Sequence, residues 1–444
     1  MKYLLLLGLM VSAFQLKGET LSRYTNVKFS EADVNQLSIK TLNESFRMDS
    51  FLPEAEFKRI NLYSNISIIK LINGNNEETL TPSGRLFFIS VNTSEKIALS
   101  YQPSTKSIYG FLHTQSEKYH FNSDVSNNYK LDIHTENKHD SFDCLNDDLN
   151  QWELEFNDIK PDNLTKTVKT NANNNRGSTV YQAHVSVDTD NELMFKKFQN
   201  NSTTAINWIE NLFLNLNVIY ESEVDMRVVI ASTFLRIDLT PNGNPDFNSD
   251  PETFNNGLSS FASYWANNYT HIDRVTSMLI SGKGISSGGF SGVAYVNAYC
   301  NNSFSYSFNR LGANFSATSG ALFIGHELGH NFGSSHTHCE QLANGGTDFV
   351  DHCYNTAQNG CFAGTTSCPA SGNGTMMSYC HAPASGFDGT GPATGPPSSP
   401  NCNTSTDVHA LIATKLSGRI QNNYPSCIKD LGYDFYTIFE DGFE

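Results

Sequence analysis

The pattern of apolar and polar positions divides the chain near its middle. From residue 20 to about 160, apolar and polar side chains alternate in short runs, the period of half-buried strands. Arg85–Val91, Lys96–Tyr101 and Ser107–Leu112 are predicted strands. Residues 161–179, PDNLTKTVKTNANNNRGST, have almost nothing to bury and read as an exposed linker, a domain boundary and a site of proteolytic nicking. Beyond it the period changes. Tyr181–Val187 alternates as a strand, while Glu192–Phe198 and Thr204–Leu216 carry helical spacing. Met226–Ile230 reads as a short buried strand, Pro251–Tyr269 as a helix and Val275–Ile280 as a strand. Gly292–Cys300 follows a Gly-rich turn and is predicted as one more strand. Ala317–Phe332 and Asp407–Gln421 are predicted helices. Strands alternating with helices predict an α/β arrangement for residues 180–428, behind a β-rich unit over 19–160.

The first residues break both patterns. Lys2 precedes an apolar run from Leu4 to Phe14, too short to span a bilayer, so residues 1–18 are expected to be a secretory signal peptide. No later run is long enough for a membrane span, and the mature protein is expected to be secreted. Residues 429–444 form a tail too short to fold alone.

Export changes the reading of the cysteines. Of nine, eight lie after residue 299, where an oxidising compartment favours up to four disulfides of unspecified pairing. Cys144 stands alone in the first half. The net charge of −16 argues against a nucleic-acid partner, because phosphate repels such a surface. The charge is concentrated late: residues 178–444 hold 23 acidic against 10 basic side chains, as expected of a soluble acidic secreted domain. His113, His120, His134 and His139 are scattered without ligand spacing and read as exposed.

Residues 326–336, HELGHNFGSSH, carry chemistry. On a helix, His326 and His330 project from one face, four residues apart. Two imidazoles so placed bind one zinc ion, Glu327 is positioned as general base, Gly333 turns the chain, and His336 returns as third ligand. Three protein ligands leave one position open, the arrangement of a catalytic zinc.

This segment resembles the metzincin zinc endopeptidases, and HELGHNFG is most similar to the adamalysin/reprolysin group. The resemblance covers roughly 180–428 and is carried mainly by 320–382. It implies an α+β zincin fold: a twisted mixed sheet with helices, a zinc cleft between upper and lower subdomains, and a β-rich prodomain in front. It implies a Met-turn in Gly374–Cys380, with Met377 as the methionine beneath the metal and Met376 the lesser choice. It further implies hydrolysis of internal bonds in a protein or peptide substrate by a monomer, with the run Gly292–Tyr299 as the edge strand beside the cleft and the 384–400 loop as pocket wall. Two positions depart from the reprolysin pattern. Thr337 stands where Asp usually follows the third histidine, and Tyr379 two residues after Met377 is similar to serralysins and astacins. Tyr379 is therefore a candidate fifth ligand or oxyanion partner, with packing beneath the helix as its other reading. Cys144 is a candidate cysteine switch holding a latent precursor, although SFDCLND lacks the usual surround. Asp188, Asp190 and Glu192 are candidate calcium ligands, against the plainer reading of solvated carboxylates. His338 and His381 read as surface groups or groups behind the ligands. A binding or adhesion protein on a degenerate protease scaffold is the alternative, as is a zinc hydrolase of a non-protein polymer; intact His326, Glu327, His330 and His336 weigh against the former.

Overall fold

The structure is a computed structural model that describes residues 28–42, 44–48, 55–91, 93, 95–113, 118–126, 129–130, 132–135, 142–144, 181–237, 254–283, 290–311, 315–342, 348–355, 360–369, 373–380, 403–404, 410–423 and 427–430. The expected signal peptide, the 161–179 linker, His139, His381 and the 384–400 loop lie outside the described residues. Two compact units emerge: Met1–Asn61 with Ser83–Asn137, and Leu62–Pro82 with Lys138–Glu444.

In the first unit, helix α1 (Glu31–Ile39) is followed by β1 (Ser45–Arg47) and β2 (Glu56–Ile60). A capping box starts α1: the Ser30 side chain accepts from the Asp33 amide while the Asp33 carboxylate accepts from the Ser30 amide. The chain then lends a hairpin, β3 (Tyr63–Asn73) and β4 (Asn76–Leu80), to the second unit. It returns as β5 (Leu86–Val91), β6 (Lys96–Gln102), β7 (Ser107–His113), β8 (Lys118–Ser123) and β9 (Asp132–Thr135). These make an antiparallel sheet ordered β1-β2-β5-β6-β7-β8-β9. Val34 and Leu37 of α1 close its core of Phe57, Phe88, Leu99 and Phe121. His113 is buried here rather than exposed as its scattered position suggested.

The second unit begins with β10 (Phe142–Cys144) and continues with β11 (Tyr181–Thr189), α2 (Asn191–Phe198), α3 (Ser202–Val224) and β12 (Met226–Arg236). Then come α4 (Phe254–Asn268), β13 (Thr276–Ser281), β14 (Phe290–Ala294), β15 (Tyr306–Arg310), α5 (Ala317–Asn331) and α6 (Ala410–Asn423). The sheet order is β10-β14-β15-β13-β11-β12-β3-β4. β11, β12, β13, β15 and β3 run parallel, while β14 opposes β15 and β4 opposes β3. This is the mixed α/β sheet expected of a zincin. β12 and β13 are buried at every position, which explains why β12 does not alternate between apolar and polar residues. Short pairs complete the unit: β16 (Asn373–Gly374) with β17 (Asn403–Thr404), and β18 (Lys429–Asp430) against the start of β11. Disulfides join Cys300 to Cys427, Cys339 to Cys361 and Cys353 to Cys380. Among the described residues, no helix is long and apolar enough to cross a membrane.

The expected strand over Gly292–Cys300 is shorter than predicted. β14 ends at Ala294, and Asn297 and Cys300 adopt positive φ of 55° and 63°. The chain leaves the sheet to serve helix α5. Asn297 donates its amide to the His330 carbonyl (2.9 Å), and Ala298 and Tyr299 donate theirs to the Asn331 carbonyl (3.0 and 3.2 Å). Those carbonyls lie in the last turn, where the regular i→i−4 donors run out.

Candidate metal centre

Helix α5 starts where the Ser316 hydroxyl accepts the Ser319 amide (3.0 Å) and ends at Gly333. Gly333 has φ +92°, a conformation that L side chains rarely adopt, and its carbonyl accepts from the Arg419 guanidinium on α6. The turn there returns the chain so that His336 faces the helix it has just left.

The three imidazoles converge. Nε2–Nε2 separations are 3.1 Å for His326–His330, 3.1 Å for His330–His336 and 3.2 Å for His326–His336. Three nitrogens at about 2.0–2.1 Å from one tetrahedral ion stand roughly 3.3–3.4 Å apart, so the set fits a single cation. The group is able to hold a metal ion. The other nitrogens fix the tautomers. His326 Nδ1–H donates to the Met376 carbonyl (2.7 Å) and His330 Nδ1–H to the Ser334 carbonyl (2.7 Å). A carbonyl only accepts, so the proton sits on Nδ1 and each Nε2 turns a lone pair inward. Burial first, and neighbouring imidazoles second, hold His330 and His336 well below the usual histidine range. Neutral imidazole is the ligating form.

Glu327 is fully buried beside this cluster. Strand β14 passes close over it: a Cβ at Gly292 would lie 2.6 Å from Glu327 Oε1 and 2.7 Å from Phe323 Cζ. Only a glycine permits that approach. Gly292 escaped the sequence reading because nothing in GGFSG marks one glycine above the others.

The segment 375–379 underlies both ligand-bearing stretches. The Met376 carbonyl orients His326, and the Met377 carbonyl accepts the Thr337 amide (3.1 Å). Met377 Sδ lies 2.5 Å from where a Cβ of Gly329 would be, so the turn packs against the helix backbone between His326 and His330. Met376 packs one turn earlier, against Gly325, which Leu216 also approaches. Tyr379 is buried, its ring centroid 4.3 Å from that of His336. His338 is fully buried and stacks on His336 at 5.4 Å and 10°, which excludes a surface position. The Thr337 hydroxyl donates to Asp351, whose other oxygen accepts the Cys353 amide (3.0 Å). The carboxylate expected directly after the third histidine thus reaches this position from farther along the chain. Sequence spacing gave no signal of that.

Two of the three candidate calcium carboxylates, Asp188 and Asp190, have other partners, while Glu192 Oε2 is buried with no hydrogen-bond partner among the described residues. Asp188 is paired with Arg236 through two contacts of 2.7 Å and accepts Trp265 Nε1–H at 2.9 Å. Asp190 caps α2 through the Leu193 amide (2.8 Å), accepts the Gly282 amide (2.9 Å) and pairs with the Ser281 hydroxyl. Burial, then Glu192, push the Asp190 carboxyl up to about 6. Calcium is not supported here, because guanidinium, indole, amide and hydroxyl hydrogens occupy the Asp188 and Asp190 oxygens, which leaves Glu192 as one carboxylate where calcium needs several. Cys144 closes β10, which runs parallel to β14 with Cys144 opposite Gly292 in the register.

Residues 179–387 match the model of a reprolysin family, metallo-peptidase family M12. The match supports a metzincin-type metallopeptidase. It spans the whole histidine cluster and the turn beneath it, and family M12 enzymes use zinc. No curated protein matches the chain. Among solved structures, metalloproteinase-II from Bacteroides fragilis is 11% identical at TM-score 0.36, with 72% of this chain and 89% of that one covered. A chaperone–substrate complex is 13% identical at TM-score 0.26, covering 55% of this chain and 31% of that one. Neither likeness is strong enough to add to the reading.

Proposed function

We propose that the protein is a secreted zinc endopeptidase, made as a latent precursor, that hydrolyses internal peptide bonds with Glu327 as general base. The observation carrying this is the convergence of three Nε2 atoms within 3.2 Å beside a buried carboxylate under strand β14. Bound zinc supplies Lewis acidity, which lowers the pKa of water and polarises a carbonyl. Glu327 takes one proton from the attacking water and gives it to the amine nitrogen of the departing segment. Its burial keeps the carboxylate away from bulk water.

An extended substrate adds to the free edge of β14 through backbone hydrogen bonds, a mode tolerant of sequence. Gly292 lets its backbone come close to Glu327. In the chain as it stands, β10 holds that edge. This placement supports Cys144 as the latency residue. Parallel pairing also sets the carbonyls of β10 in a different register from an antiparallel substrate. Met377 acts as the Met-turn floor, and Tyr379, packed on His336, is the reserve donor to a developing oxyanion. Export is supported by residues 1–18 and by three disulfides, which persist in oxidising compartments.

The test is casein digestion by the matured protein, with and without chelator, beside Glu327→Ala and elemental analysis. One zinc per chain and chelator-sensitive, Glu327-dependent cleavage are expected. Cleavage indifferent to both would remove the reading.

A further inference from the structure

Both edges of the second unit's sheet are covered by residues that precede the 161–179 segment, and the two coverings differ in strength. At the β14 edge, β10 contributes three residues, Phe142–Cys144. At the opposite edge, β3 follows β12 from Tyr63 beside Ile230 to Ile72 beside Arg236. The Leu62 carbonyl accepts the Ile230 amide (2.7 Å), and the Ile72 carbonyl accepts the Ile237 amide (3.0 Å). Leu62, Ile69 and Ile72 are buried, and Ile72 joins the cluster of Phe234, Leu258, Phe261, Trp265 and Leu279. Tyr63 Oη–H donates to Glu210 Oε1 at 2.8 Å, and Glu210 is fully buried on α3.

Removal of the hairpin would strip a donor from a buried carboxylate, open an apolar cluster and bare the edge of an eleven-residue strand. Loss of β10 costs only a short edge pairing. We propose that residues 62–82 stay on the protease after the chain is cut within 161–179, as a non-covalently held pair of strands, while β10 gives way at β14. The mature enzyme is then a two-fragment complex whose sheet is completed by its own former N-terminal half. This rests on the precursor reading above, but retention is measured without any assay of catalysis.

Full-length protein is nicked by trypsin, for which the segment offers Lys166, Lys169 and Arg176. Native mass spectrometry, gel filtration and amide hydrogen exchange follow. Both fragments are expected in a 1:1 complex that separates only in denaturant, with the amides of β12 as protected as in the uncut chain. Tyr63→Phe is expected to speed release of the N-terminal fragment roughly tenfold through loss of a hydrogen bond to a buried charge. Elution of the C-terminal fragment alone, free exchange along β12 after nicking, or an unchanged release rate in Tyr63→Phe would each overturn the proposal. A retained complex without Glu327-dependent cleavage upholds it and sinks the protease reading instead.

Discussion

Two buried polar clusters in the second unit look alike in composition and differ in what they can do. The carboxylate oxygens of Asp188 and Asp190 meet hydrogens from Arg236, Trp265, Leu193, Gly282 and Ser281. The hydrogens of His326 and His330 are spent on outward carbonyls, and the Nε2 atoms of His326, His330 and His336 face one another. Like lone pairs at that distance repel, and a cation removes the repulsion. The two aspartates form a closed structural knot, and the three histidines an open set able to hold a cation. Acidic residues close together in sequence do not make a metal site unless the fold leaves their oxygens unspent.

The largest expected effect falls on the open set. Glu327→Ala should lower kcat by about 10²–10⁴-fold, the range for a general base, with zinc content unchanged. A chelator should abolish cleavage and lower the melting temperature, and zinc should restore both. Added calcium should leave the melting temperature unchanged; a clear rise would mean that the Asp188 cluster has been misread.

Asp188→Ala comes next and breaks the closed knot. It leaves the Arg236 guanidinium, 1% exposed, without its carboxylate. Removing one partner of a buried pair costs about 3–5 kcal/mol, read as a shift of the urea midpoint. Gly292→Ala tests the approach over the open set. Its Cβ would fall 2.6 Å from Glu327 Oε1, so strand or carboxylate must shift. A fall in kcat on the order of 10²-fold with stability nearly retained is expected; wild-type kcat would show that β14 is not the catalytic edge.

The smallest effect is a pH slope. Asp190 titrates at about 6 in the folded chain, above the ordinary 3.8. The folded state therefore binds the proton more tightly than the unfolded one. Its contribution to stability is full below about pH 4 and is lost as pH rises through about 6. Asp190→Asn should flatten that decline in denaturation curves taken between pH 4 and 7, while the amide oxygen still caps α2.

Much of the fold was legible where one local rule dominates. β5, β6, β7, β11, β13, α2, α4 and α5 fall within a few residues of the runs their periodicity predicts. β12 extends well past Ile230, because full burial erases the alternation by which a strand end is recognised. β14 stops early because the α5 carbonyls claim the next amides. The β3–β4 hairpin reads as part of the first unit, and no local pattern says that it pairs with β12.

The sequence by itself determined the candidate metal-binding group: the spacing of His326, His330, Gly333 and His336 works through helical geometry and one left-handed turn, both local in origin. Tertiary structure alone decided which groups remain available to a ligand and which are consumed. Asp188 is spent because Arg236 and Trp265 arrive from distant elements, Thr337 is held because Asp351 reaches back, and Gly292 matters because β14 crosses Glu327. Each of these depends on contacts between residues far apart in the chain, and side-chain spacing along a sequence does not encode which hydrogen bonds the fold will have filled.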